Sequence, residues 1–179
     1  LKPGMHTITV MINNNRELTP YGHVHIYSDD TQTNWNGILG SIKLEATSKT
    51  YISDLQVFSN IDNKKINVEL KIENKLDWNN VKIELQAQRI DKNKTKKLSL
   101  DTYNLPCDSI IELEYSLGNE MKLWDEYQQP LYKLTATITN NGKQASKTVP
   151  FGMRKFSTEG TQFVINGHKT FLRGKHDAC

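Results

Sequence analysis

Cysteine is scarce in this sequence, and long apolar runs are absent. Only two of the 179 residues are cysteines, Cys107 and Cys179, and neither has another Cys or a His at zinc-binding spacing. We therefore predict two free thiols and no disulfide framework. No stretch approaches the roughly 20 apolar residues of a membrane span, so we predict no membrane partner.

An excess of charge of one sign is also missing. The chain has 23 basic and 20 acidic residues, a formal net charge of +3, which is too balanced to indicate nucleic acid. The densest basic group is typical of an exposed hairpin turn, with a polyanion site as the alternative; it consists of Lys92, Lys94, Lys96 and Lys97. No Gly-rich phosphate loop accompanies it, and no cofactor is predicted.

Helical periodicity is the third absence, since no apolar stripe recurs every 3.6 residues. Alternation at period two dominates instead, which predicts strands with one buried and one wet face. The apolar members of the four clearest runs are Ile66, Val68, Leu70 and Ile72; Val81, Ile83, Leu85 and Ala87; Ile111, Leu113 and Tyr115; and Tyr132, Leu134, Ala136 and Ile138.

Turn residues divide these runs into about seven short strands between residues 51 and 153. Asn140-Asn141-Gly142 is a strong hairpin signal, because Asn-Gly supplies the positive φ angles of a type I′ turn. The strand number and spacing predict an all-β fold, an immunoglobulin-like β-sandwich. The Cys and Trp pattern of antibody domains is missing, so the likeness is one of architecture.

The two flanks look like parts of other domains. Three predicted strands, Thr7 to Ile12, Val24 to Tyr27 and Ile38 to Leu44, are too few to bury a core of their own. At the other end, Asn166-Gly167 predicts a tight hairpin with Lys169 to Leu172 as its second strand. Both ends look cut, so we expect a piece of a longer protein.

Three spaced motifs resemble a known family. They are Asn34-Trp35-Asn36-Gly37-Ile38 with Gly40 and Ile42; Leu123-Trp124 with Pro130-Leu131-Tyr132 and Leu134; and Phe151-Gly152 with Arg154, Phe163, Ile165-Asn166-Gly167 and Leu172-Arg173-Gly174. Their succession along nearly the whole chain resembles glycoside hydrolase family two, which includes β-galactosidases, β-glucuronidases and β-mannosidases.

The resemblance implies a domain order. Residues 1–46 would be the last strands of a jelly-roll sugar-binding domain, residues 47–153 the sandwich, and residues 154–179 the lead-in and first strand of a (β/α)8 barrel. The family's two catalytic glutamates lie on later barrel strands, so we predict no catalytic residue in this chain. Asp125-Glu126 stands where many members have Pro, and Lys175-His176 departs from the usual continuation, which leaves the sugar open.

Several residues imitate or suggest chemistry. Asn119-Glu120 mimics the family's Asn-Glu pair, but it lies between two sandwich strands, and we predict that it is not catalytic. Arg173, His176 and Asp177 would stand at the C-terminal end of the first barrel strand, where barrel active sites are built. There they would bind sugar hydroxyls in the longer protein; the alternative is a structural Arg-Gly turn with a disordered tail.

The N-terminal flank offers a second group of candidates. Asp30, Asn34 and Trp35, with Asp29, belong to a loop that by resemblance borders the sugar pocket; the alternative is an ordinary strand connection. His23 and His25 share a strand face but have no fixed third ligand, so we predict no metal site. Among the tryptophans, Trp124 is expected to anchor the sandwich, and Trp78 is the best exposed candidate for stacking on a sugar.

These observations predict a non-catalytic fragment of a glycosidase that hydrolyses O-glycosidic bonds, in which the sandwich positions the sugar-binding domain against the barrel. The alternative is a stand-alone carbohydrate-binding or adhesion sandwich. The expected partners are carbohydrate, in the parent protein, and the rest of the parent chain, with a homodimer through exposed strand edges. These residues leave the compartment open; for the parent, we expect the periplasm or secretion.

Overall fold

A computed structural model describes residues 4–13, 37–38, 40–92 and 94–175. The chain divides into two compact units, one of residues 46–173 and one of residues 1–45 together with 174–179. The larger unit contains all the strands of the described residues. Among those residues, no helix is long and apolar enough to cross a membrane.

Seven strands form the predicted sandwich. The first sheet has the order β1-β2-β5, with β1 Thr50–Asn60, β2 Lys65–Asn74 and β5 Ile110–Ser116. The second has the order β4-β3-β6-β7, with β3 Asn80–Asp91, β4 Lys94–Pro106, β6 Leu131–Asn140 and β7 Lys143–Phe151. All pairings are antiparallel. The fourth strand pairs with β3, whereas in constant-type immunoglobulin domains it belongs to the other sheet.

The alternating runs place their apolar residues between the two sheets, as predicted. Every alternating apolar residue predicted in β2, β3 and β6 is at most 5% exposed, and Tyr115 of β5 is fully buried. Leu113 is the exception, since it is only partly buried against the same core. Because side chains of a strand alternate between faces, the sequence period alone predicted which residues form this core.

Two tight turns also follow the prediction. Asn141 and Gly142 have φ angles of 47° and 76°, and the flanking residues Asn140 and Lys143 pair directly. Asn166 and Gly167, at 52° and 84°, join β9 to β10 in the same way. Both are two-residue hairpins with left-handed φ values, which is the geometry that Asn-Gly favours.

A three-stranded meander follows the sandwich. Its strands are β8 Phe156–Glu159, β9 Gln162–Ile165 and β10 His168–Thr170, in the order β10-β9-β8. The β9–β10 hairpin was predicted, whereas β8 was not. Lys169 and Thr170 pair with Val164 and Phe163, but no strand continues through Phe171 and Leu172. That Lys169 to Leu172 forms a first barrel strand stays a prediction.

The described residues of the N-terminal segment contain none of the strands predicted there. No strand is present at 7–12 or at the described positions of 38–44, so those two predictions are wrong, while Val24 to Tyr27 lies outside the described residues. The side chains of Ile8 and Ile42 are 70% and 69% exposed. Their alternation is genuine in the sequence, but a strand also needs a hydrogen-bonded partner and a face that is buried.

Candidate functional site

Trp124 is the centre of a junction between the sandwich and the meander. It lies in the long connection from β5 to β6, just after Leu123, which forms an isolated parallel bridge with Met153. The backbone N–H of Trp124 donates a 2.8 Å hydrogen bond to the carbonyl of Met153. Met153 is fully buried. These contacts attach the connection to the segment that leaves β7.

Trp124 lies against two residues of that segment. Arg154 places its guanidinium carbon 5.0 Å from the ring centroid, a cation–π geometry. A Cβ added to Gly152 would lie 3.6 Å from the Cβ of Trp124. The added methyl group of an alanine would therefore be in ordinary van der Waals contact with Trp124.

Asn166 completes the junction from the meander side. Its Nδ2 donates a 2.9 Å bond to the carbonyl of Trp124, and its Oδ1 accepts a 2.9 Å bond from the N–H of Lys155. Its backbone N–H donates to the carbonyl of Lys155, also at 2.9 Å. One turn residue therefore joins the meander to two segments of the chain. We call Trp124, Gly152, Arg154 and Asn166 the Trp124 junction.

A network of ion pairs involves the same connection and includes Glu120 of the Asn119-Glu120 pair. Arg89, whose side chain is 11% exposed, bonds Asp91 at 2.8 Å and Glu120 at 3.1 Å. Lys96 also bonds Glu120, at 2.8 Å, and lowers the pKa of that carboxyl, with Arg89 adding to the effect. A carboxylate held ionised by two cations is unsuited to general acid catalysis. Glu120 therefore takes part in a structural ion-pair network. That Asn119-Glu120 is not catalytic stays a prediction.

Tyr132 anchors the connection from the core side. Its hydroxyl accepts a 2.7 Å hydrogen bond from the N–H of Lys122 and lies 3.2 Å from the carbonyl of Glu120, to which it donates. Its ring stacks on Phe151 with the centroids 5.0 Å apart. A tyrosine near the start of this strand with its hydroxyl on upstream backbone matches the tyrosine corner of immunoglobulin-like domains.

A cleft of about 470 Å³ lies beside the junction. Asp125 and Tyr127 line one side, and His168 and Lys169 of the meander line the other. Asp125 Oδ1 accepts bonds from the N–H groups of Tyr127 and Gln128, at 2.8 and 2.7 Å, and so shapes the wall. A hydrogen bond to Glu126 raises the pKa of the Tyr127 phenol.

Most of the predicted site residues cannot be placed against this junction. Asp30, Asn34, Trp35, His176 and Asp177 lie outside the described residues, as do His23, His25 and Asp29. Arg173 is described and is exposed. Within the described ranges, no group of three or more His, Cys, Asp or Glu side chains could hold a metal ion.

The remaining aromatic and thiol predictions fall on described residues. Trp78 is partly buried and packs against the core, so it is less exposed than predicted. Cys107 is a free thiol, and burial raises its pKa. Sequence reasoning missed Arg89, although the apolar register from Val81 to Ala87 continues at position 89 and there places an arginine on the inward face.

The fold and the Trp124 junction define the class of protein. It is a seven-stranded β-sandwich joined to a small C-terminal meander through a connection that contains Trp124. The sequence model of glycosyl hydrolases family 2 matches residues 41–154. The chain belongs to this family. Two of the three motifs, those around Trp124 and those from Phe151 to Asn166, meet at the Trp124 junction.

The relatives found are longer proteins. A β-glucuronidase from Paenibacillus borealis is 23% identical over 189 residues, covering 95% of this chain and 30% of that protein. A family 2 glycosyl hydrolase from Bacteroides cellulosilyticus matches 71% of this chain with a TM-score of 0.56 and 16% identity. β-Glucuronidase 3 from Bacteroides uniformis matches 73% with a TM-score of 0.52 and 20% identity. This chain covers 17% and 16% of those two structures.

Proposed function

We propose that this chain is a non-catalytic portion of a glycosidase that hydrolyses O-glycosidic bonds. Its sandwich holds a sugar-binding domain against a catalytic barrel at a fixed angle. The observation that supports this role is the side chain of Asn166, which bonds both Trp124 and Lys155 at 2.9 Å. A spacer that sets an angle needs such contacts, because a hinge joined only by backbone would let the flanking parts rotate.

The proposed domain limits are residues 1–46, 47–153 and 154–179, as the family resemblance implies. The parent acts on its sugar with two carboxylates about 5 to 5.5 Å apart, as retaining enzymes do, and both belong to barrel strands that this chain does not carry. In the parent, Arg173, His176 and Asp177 contact sugar hydroxyls, and Asp30, Asn34 and Trp35 border the same pocket.

Hydrolysis of a panel of nitrophenyl glycosides tests this proposal. The 179-residue chain is compared with the protein extended through the rest of its gene, and the β-glucuronide is tried first because of the Paenibacillus relative. We expect turnover only from the extended protein. Turnover by the short chain would refute its non-catalytic assignment, and no turnover by either on any sugar would refute the glycosidase role.

We also propose that the short chain forms a homodimer through its N-terminal unit. Five large apolar residues of that unit are more than two-thirds exposed: Met5, Ile8, Met11, Ile42 and Leu44. Exposed apolar surface on this scale favours association. Light scattering should give a mass that rises toward twice 20.6 kDa with concentration. A constant monomer mass with a protease-resistant N-terminus would refute the dimer.

A further inference from the structure

An amide-rich cleft lies at the end of the sandwich opposite the Trp124 junction. It has a volume of about 580 Å³, within the usual range for small-ligand sites. The β2–β3 loop and the β6–β7 turn form its two walls. The polar and aromatic residues that line it are Asp77, Trp78, Asn79 and Asn80 from the first wall and Asn140, Asn141 and Lys143 from the second.

Hydrogen bonds hold both walls in place. The side chain of Asn74 makes two hydrogen bonds to the backbone of Trp78. Its Nδ2 donates to the Trp78 carbonyl and its Oδ1 accepts from the Trp78 N–H, each at 3.0 Å. Asn140 Nδ2 donates to the carbonyl of Asn80 and so ties the turn to the loop. The cleft is therefore formed before any ligand arrives, which reduces the entropy cost of binding.

The chemistry of the walls indicates the class of ligand. Among the described residues that line the cleft, only Asp77 and Lys143 are charged, and their charges cancel, which argues against phosphates and other polyanions. Each asparagine amide offers donors and acceptors together, as hydroxyl groups of a sugar require. Trp78 packs on the core and also lines the cleft, where an indole suits the apolar face of a pyranose ring.

We propose that this cleft binds a neutral oligosaccharide. The site takes one or two pyranose rings, with the ring face on Trp78 and the hydroxyls on the asparagine side chains. The proposal does not depend on the glycosidase role of the parent, because it concerns binding by the described chain itself.

Chemical-shift mapping on the native 179-residue chain tests it directly. Neutral tetrasaccharides of glucose, xylose, galactose and mannose are titrated, with a glucuronic-acid oligomer as the charged comparison. At least one neutral sugar should give saturable shifts in both walls, including the asparagine side-chain amides, with a Kd of about 1 mM or tighter. Shifts at other surfaces, tighter binding of the charged oligomer, or no saturation with any sugar would overturn the proposal.

Two left-handed residues provide variants that spare the backbone. Asp77 and Asn141 have φ angles of 51° and 47°, and glycine adopts such positive φ angles without steric strain. The double variant Asp77→Gly/Asn141→Gly should weaken binding by roughly tenfold or more. Lys64→Gly is the matched control, since Lys64 has a φ of 54° in the β1–β2 turn at the other end, and its binding should be unchanged. Equal affinity of the double variant and the wild type would refute the site.

Discussion

The hydroxyl of Tyr132 accepts a 2.7 Å hydrogen bond from the backbone N–H of Lys122, ten residues earlier in the chain. Tyr132 is fully buried, and burial raises the pKa of its phenol. The bond therefore links the core of the second sheet to the connection that carries Trp124. It gives the connection a fixed point close to the junction.

Tyr132→Phe should destabilise the chain. The substitution leaves the ring in place but removes the acceptor of the Lys122 N–H, and the loss of one such hydrogen bond costs about 0.5–1.5 kcal/mol. Urea denaturation measures the loss. Tyr127→Phe is the control, because Tyr127 is 87% exposed and should change stability by less than about 0.5 kcal/mol. Equal effects of the two variants would contradict the role of Tyr132.

Asn166→Gly should loosen the meander without unfolding the sandwich. Glycine tolerates the φ of 52° at this turn, so the substitution removes only the side-chain bonds to Trp124 and Lys155. Amide hydrogen exchange should accelerate in 163–170 by roughly tenfold for each 1.4 kcal/mol lost. Exchange in β3 and β6 should stay the same.

Asn166→Asp separates the two bonds of that side chain. The carboxylate keeps an acceptor for the N–H of Lys155 but cannot donate to the carbonyl of Trp124. We expect exchange rates between those of the wild type and Asn166→Gly. Wild-type exchange rates in both variants would show that the side-chain hydrogen bonds of Asn166 do not hold the meander.

Acid should weaken the network around Arg89. Glu120 and Asp91 both have pKa values lowered below their ordinary 4.5 and 3.8, by hydrogen bonds chiefly from Lys96 and Arg89 respectively. The unfolded chain therefore takes up protons at a higher pH than the folded one, and stability falls as pH drops from about those values through the lower folded ones. Glu120→Gln should flatten this part of the curve of unfolding free energy against pH. An unchanged curve would contradict the assignment.

Leu85→Ala should cost about 2–5 kcal/mol. Leu85 is fully buried in β3, between β4 and β6, so truncation leaves a cavity between the two sheets. Leu100→Ala is the matched control, because Leu100 of β4 is 54% exposed. Thermal unfolding should separate the two variants by several degrees, and similar midpoints would show that Leu85 is not part of a tightly packed core.

The sequence by itself determined the inward faces of four sandwich strands, β2, β3, β5 and β6, with the partly buried Leu113 as the exception. Residues at every second position from Ile66 to Ile72 and from Tyr132 to Ile138 share one face because side chains of a strand alternate with a period of two, and these residues are buried. The Asn-Gly turns at 141–142 and 166–167 could also be predicted from the sequence, because Asn and Gly favour the left-handed φ angles of such turns.

Only the tertiary structure decided what lies far apart in the chain and meets in space. The pairing of β4 with β3, the burial of Arg89 and the bond from Asn166 to Trp124, 42 residues away, depend on which surfaces are brought together. The same reason explains the wrong strand predictions at 7–12 and at the described positions of 38–44. Alternation states which face would be buried, but a strand exists only where a partner supplies its hydrogen bonds.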